Sequence, residues 1–67
     1  MSELDEWTGV RKRSAVVEAR RVEESQWMET PWGTMHAIPG DVLIRGVNGE
    51  VYPVPPDEFE RAYEIVE

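Results

Sequence analysis

The sequence offers few side chains that could take part in catalysis or metal binding. His36 is the only histidine, and the chain has no cysteine. With carboxylates such as Glu29, Asp41 or Glu50 it could form a metal site or act as a general base. One histidine without a spacing motif specifies neither, because a base needs a nucleophile and an orienting group within reach. We predict no catalytic residue, no metal site and no cofactor, and expect His36 on a strand, either at the surface or half-buried.

Asp41 is the carboxylate whose position most needs an explanation, because it follows Pro39 and Gly40. At a loop tip it could bind a ligand, and we keep it as a candidate binding residue. The favoured interpretation is structural, since an aspartate in a turn commonly accepts hydrogen bonds from nearby backbone N–H groups. The glycine-containing stretch at 46–50 lacks the pattern of a phosphate-binding loop and is expected to be a hairpin turn.

Three tryptophans in 67 residues indicate a second kind of site. Trp32 stands between Pro31 and Gly33, in a turn where its side chain is expected to be at least partly exposed. Exposed tryptophans are enriched among residues that anchor protein partners. The alternative is that Trp32 folds over a sheet edge. Trp27 is predicted to lie in the core, and Trp7 either packs onto the domain or stays in a tail.

Basic side chains are concentrated near the N-terminus. Arg11, Lys12 and Arg13, with Arg20 and Arg21, could line an extended surface on which tryptophans stack the bases of a single-stranded nucleic acid. We keep the first three as candidate binding residues. The net charge of -7 argues against nucleic acid as the main partner, because phosphates are bound by clustered lysine and arginine. The alternative is ion pairing with the acidic C-terminal helix, within the chain or across a dimer.

Length and composition limit the class of protein. A chain of 67 residues suffices for one domain, and without cysteine it cannot be stabilised by a disulfide or a cysteine-based zinc site. No apolar run approaches the roughly 20 residues that span a bilayer. The acidic N-terminus does not resemble a signal peptide. We therefore expect a soluble, cytoplasmic protein without a membrane partner.

Apolar alternation predicts strands in the N-terminal half. Residues 1–12 are expected to form a flexible tail and residues 13–67 a single small domain. Residues 14–22 alternate and are rich in β-branched side chains, which favours a strand. A helix running on to Met28 is the alternative, because alanine, glutamate and arginine are good helix formers. Two short strands are predicted on either side of the turn at 31–33.

Turn chemistry predicts the elements of the C-terminal half. Asn48-Gly49 is the dipeptide preferred in a two-residue hairpin loop, which would pair Arg45 with Tyr52. Pro53 is expected to end the return strand or to lie at a sheet edge. Pro55-Pro56 should start a short helix with an apolar stripe of Phe59, Ala62 and Tyr63, before a last strand at 65–66. The expected fold is mainly β (α+β): a small antiparallel sheet of four or five strands, curled or a partial barrel, with one short C-terminal helix.

The segment PGDVLIRGVNGEVYPVPPDEFERAYEIV, residues 39–66, resembles the C-terminal part of small bacterial and phage proteins of the PGDYG-like family. The upstream stretch KRSAVVEA is similar to a strand of that family, with Ser14 where a proline is usual. Val42 stands where an aromatic is common, and Val54 and Pro55 separate two parts of the pattern. The family has no assigned activity, so the resemblance implies an architecture and no mechanism.

These observations predict a non-enzymatic protein, an interaction or accessory module with an unknown protein partner. The alternative is a nucleic-acid or small-ligand binder that uses the basic segment 11–21 and exposed tryptophans. The strand edges of so small a sheet also permit a homodimer.

Overall fold

The fold was analysed in a computed structural model that describes residues 3–12 and 15–66. Within these residues all strand pairs are antiparallel, and they form a main sheet of order β6-β5-β2-β1-β7 and a separate hairpin of β3 and β4. The elements are, in chain order, a 3-10 helix at Glu3–Asp5, β1 (Thr8–Lys12), β2 (Ala15–Arg21), β3 (Gln26–Thr30), β4 (Gly33–Ala37), β5 (Val42–Arg45), β6 (Val51–Val54), α1 (Pro56–Ala62) and β7 (Glu64–Ile65). The predicted mainly-β fold with one short C-terminal helix is confirmed, and the main sheet does not close into a barrel.

The N-terminal segment belongs to the sheet. Strand β1 lies between β2 and β7, and its whole length pairs with β2. Leu4 and Val10 are buried. The prediction of a flexible tail over residues 1–12 is therefore wrong for the part that the structure describes. The strand is hard to recognise in the sequence because it buries only one large apolar side chain. One of its two neighbours, β7, is also distant in the chain.

Residues 15–21 form a strand, as the alternation favoured. β2 pairs with β1 on one side and with β5 on the other. The helical alternative for this stretch is wrong because β2 supplies both neighbours with backbone partners. Its side chains alternate between the two faces of the sheet, with Val17 and Ala19 on the face that carries Val10.

That face packs against α1 and contains the larger core. Its buried side chains come from the sheet, the helix and the N-terminal 3-10 helix: Leu4, Val10, Ala19, Val42, Ile44, Val54, Phe59 and Tyr63. Of the predicted apolar stripe of α1, Phe59 is buried in the helix and Ala62 is exposed. Tyr63 is also buried, but it follows the helix in an extended conformation. Helix and sheet thus bury each other's apolar faces, which neither could do alone.

A second, smaller core lies between the opposite face of the sheet and the β3–β4 hairpin. Leu43 alternates with the residues that face α1, so it points to this other side. It is buried with Val22 and Ala37, and Trp7, Met28 and Val51 pack around them. Of the two alternatives considered for Trp7, the structure shows packing onto the domain.

The β5–β6 hairpin differs from its prediction by one residue. Arg45 pairs with Val51 and not with Tyr52. The N–H of Gly49 donates to the carbonyl of Gly46 at 3.0 Å, and Gly49 has a φ of +85°. These features are typical of a three-residue loop whose last residue is left-handed, where a two-residue loop was expected. A shift of one residue exchanges the faces of a strand, and here it places Tyr52 on the side of α1.

The prolines act as the sequence predicted. Pro53 lies in β6, an edge strand of the main sheet, where a missing N–H is tolerated. Pro56 opens α1. The last strand, predicted at 65–66, is present at Glu64–Ile65. Among the described residues no helix is long and apolar enough to cross a membrane.

Candidate functional site

The β3–β4 hairpin is built around a short turn that its own side chains close. The two strands pair from Gln26 opposite Ala37 to Thr30 opposite Gly33. The hydroxyl of Thr30 donates to the carbonyl of Gly33 at 2.8 Å and accepts from the N–H of Trp32 at 3.1 Å. Gly33 has a φ of +112°, which a residue with a side chain rarely adopts. The predicted turn at 31–33 between two strands is confirmed.

One face of the hairpin packs against the rest of the protein. Met28 and Ala37 point toward the smaller core, and Ala37 is fully buried. Because side chains alternate along a strand, the other set of side chains in β3 and β4 points away from the protein. We call this opposite side the outer hairpin face, and it consists of Trp27, Glu29, Thr34 and His36.

Trp27 is 70% exposed, so its predicted place in the core is wrong. Met28 takes the inward position instead, and a strand of five residues can bury only one of its two alternating sets. The indole of Trp27 stacks on the ring of His36, with centroids 4.3 Å apart and an interplanar angle of 13°. His36 is exposed on β4, as expected of a histidine on a strand surface.

The outer hairpin face is ordered by contacts between its two strands. Beside the stacked rings, the hydroxyl of Thr34 donates a hydrogen bond to the Oε1 atom of Glu29. Cross-strand pairs of this kind stabilise a hairpin and fix its register. No three His, Cys, Asp or Glu side chains among the described residues are grouped to hold a metal ion.

Trp32 lies in the turn at the tip of the hairpin. It is 71% exposed, which confirms the predicted exposure. Its indole contacts the ring of Tyr52 in β6 in an edge-to-face arrangement, with the ring centroids 5.1 Å apart. Because β6 is an edge strand, Trp32 does contact a sheet edge, as the alternative interpretation expected. Most of its surface nevertheless faces solvent.

Asp41 is engaged in closing its own turn. Its Oδ2 atom accepts from the N–H of Ile38 at 3.1 Å, and its own N–H donates to the carbonyl of Ile38 at 3.0 Å. The carbonyl of Asp41 accepts from the N–H of Val22 at 2.8 Å. These bonds fasten the Pro-Gly-Asp turn to the end of β2, which supports the structural interpretation of this carboxylate.

Asp41→Ala is expected to lower the free energy of unfolding by about 1 kcal/mol, because the N–H of Ile38 loses its side-chain acceptor. Asp41→Asn should keep most of the stability, since its amide oxygen can still accept. Urea unfolding followed by circular dichroism measures the change. Glu24→Ala, which removes an exposed carboxylate beside β3, is the matched control. Equal midpoints for the two alanine variants would contradict the structural role.

The candidate basic residues lie elsewhere. Arg11, in β1, forms an ion pair with Glu64 of β7 at 3.6 Å, so its acidic partner lies two residues after the end of α1. The β3–β4 hairpin contacts β6, at one edge of the main sheet. Two strands, β5 and β2, lie between β6 and β1. The side chain of Lys12 and all of Arg13 are outside the described residues. The structure therefore does not join Arg11 to Trp27 and Trp32 in one surface.

The sequence missed the partners of Trp27, although a signal for them exists. A two-residue loop of Pro31 and Trp32 places Thr30 opposite Gly33, and counting back from that pair sets Trp27 opposite His36. The pairing could thus be obtained from the turn alone. The direction in which this pair points could not, because it depends on where the main sheet lies.

No family model matches the chain, and no similar protein was found among curated sequences or among solved structures. The resemblance to the PGDYG-like family therefore stays a prediction.

Proposed function

We propose that the chain is a non-enzymatic interaction module that binds a protein partner through the outer hairpin face and Trp32. The observation that carries the proposal is the exposure of two tryptophans, at 70% and 71%, on one short hairpin. Each indole leaves a large apolar area in water, and tryptophans in such positions are enriched among the residues that dominate binding energy.

The construction of the hairpin supports this role. Its inner face is fixed on the smaller core, its turn is closed by Thr30, and its outer face is ordered by cross-strand contacts. A partner would therefore meet a preformed surface and would not have to order a flexible loop. Preorganisation of this kind favours affinity because less conformational entropy is lost on binding.

A pull-down from a host lysate, with and without nuclease, tests the proposal. Wild-type protein should retain a stoichiometric protein partner that survives nuclease. Trp27→Thr and Trp32→Ala should each weaken its binding by roughly 30-fold, the equivalent of about 2 kcal/mol. Threonine keeps the strand preference of position 27. Val47→Ala is the control, because Val47 is 78% exposed on a different loop.

Two outcomes would contradict the proposal. Equal retention by the wild type and both tryptophan variants would remove the hairpin from the interface. Retention that disappears with nuclease would favour the alternative function, nucleic-acid binding by the segment with Arg11, Lys12 and Arg13. Circular dichroism of each variant checks that a loss of binding does not reflect a loss of fold.

A further inference from the structure

The charges around the hairpin indicate the kind of partner. Residues 22–44 contain four carboxylates and no lysine or arginine. Asp41 holds its own turn, but Glu29 lies on the outer hairpin face, two residues from Trp27. Glu23 and Glu24 are exposed just before β3. Arg20 and Arg21 lie beside Glu23 and Glu24 around one cavity, so the negative charge on the outer hairpin face itself is that of Glu29. An aromatic surface that carries a carboxylate and no lysine or arginine is complementary to a cationic partner and repels an acidic one.

The protein shows elsewhere how it holds a guanidinium group. The guanidinium carbon of Arg45 lies 4.2 Å from the ring centroid of Trp7. The same guanidinium contacts the carboxylate of Glu18 at 2.9 Å. An indole face and a carboxylate thus act together, one by cation–π attraction and the other by a charge-assisted hydrogen bond. Trp27 and Glu29 bring the same two groups together on the outer hairpin face.

We propose that the outer hairpin face binds an arginine-rich basic segment of a partner protein. This inference rests on the proposed function and specifies the partner's chemistry. His36 covers one face of the Trp27 indole, and an arginine of the partner stacks on the other while it pairs with Glu29. Arginine fits better than lysine because its planar guanidinium both stacks and forms forked hydrogen bonds.

The size of the surface sets the length of that segment. Trp32 follows Trp27 by five positions, so their Cα atoms lie at most about 17 Å apart at the strand rise of about 3.3 Å per residue. About five extended residues of a partner therefore span the distance between these two positions. Trp32, at the tip, takes a second arginine or an apolar side chain of the same segment.

Calorimetric titration with synthetic peptides tests the inference. The probe is a peptide of about a dozen residues that alternates arginine with glycine, measured at about 0.15 M salt to screen long-range attraction. It should bind at least about fivefold more tightly than the same peptide made with lysine. Trp27→Thr should weaken its binding by about tenfold or more.

A matched pair of charge variants separates local pairing from general attraction. Glu29→Gln should weaken binding of the arginine peptide by about threefold to tenfold. Glu60→Gln removes the same charge from an exposed position on α1 and should change the affinity by less than about twofold. Equal losses in the two variants would overturn the inference, because they would show attraction to net charge alone.

Other results would also overturn it. One is equal binding of the arginine and lysine peptides, and another is an affinity for the arginine peptide that Trp27→Thr leaves unchanged. A third is a tryptophan-dependent dimer in analytical ultracentrifugation, which would place a second copy of the chain on this face. If the arginine peptide fails to bind while a lysate protein is still captured through Trp27 and Trp32, the inference is wrong and the proposed function stands. If both fail, both are wrong.

Discussion

Ile44→Ala is expected to lower the free energy of unfolding by about 3 kcal/mol. Ile44 is fully buried in β5, between Ala19 of β2 and Tyr52 of β6. It belongs to the core that joins the main sheet to α1, so its truncation leaves a cavity bounded by two strands and a helix. A domain of this size has a total stability of only a few kcal/mol, so a large fraction of the variant should be unfolded at 25 °C.

Urea unfolding followed by far-ultraviolet circular dichroism measures this loss. Val47→Ala removes a branched apolar side chain from a position that is 78% exposed and serves as the control. The control should differ from the wild type by less than about 0.5 kcal/mol. If Ile44→Ala were equally mild, β5 could not lie at the centre of the core as described.

Val10→Asp is expected to prevent folding. Val10 has no exposed surface, because β1 is flanked by β2 and β7 and its inner face is covered by the larger core. A carboxylate there loses its hydration and gains no charged partner, because none of the buried residues in the part of the chain described is charged. The cost of several kcal/mol exceeds the stability expected of such a small domain.

The same substitution at a neighbouring strand position provides the comparison. Val16 is 51% exposed on β2 and lies opposite Arg11, so Val16→Asp places its charge in solvent beside a cation. That variant should fold, with a midpoint in urea close to that of the wild type. Cooperative folding of Val10→Asp, seen by circular dichroism and amide dispersion in NMR spectra, would mean that residues 8–12 are a tail after all.

Local residue chemistry was enough to predict several parts of this fold. A proline restricts its own φ and lacks an N–H wherever it occurs, so Pro53 indicated an edge strand and Pro56 a helix start. The turn at 31–33 followed from Pro31 and Gly33 in the same way. Asp41 was predicted to brace its turn because an aspartate side chain reaches the backbone only a few residues away.

Strand β1 and the loop of the β5–β6 hairpin could not be obtained in this way. β1 has only one large apolar side chain that faces the core, and its place between β2 and β7 depends partly on β7, a strand far along the chain. At 46–50, Asn48-Gly49 is compatible with loops of two or three residues. The core decided between them, since only the observed pairing turns Val54 toward Ile44 and α1.

The candidate site likewise has features that the sequence predicted and features that depend on the tertiary structure. The sequence by itself determined the hairpin, the exposure of Trp32 in its turn and the acidic character of the region, because these follow from residue types and short-range geometry. Only the tertiary structure decided that Trp27 faces solvent beside His36 and Glu29. Trp27 and Met28 are adjacent in β3, so either of the two alternating sets of side chains could have been buried. Ala37 packs against Leu43 and Val22, and this packing turns Met28 toward the smaller core and Trp27 toward solvent.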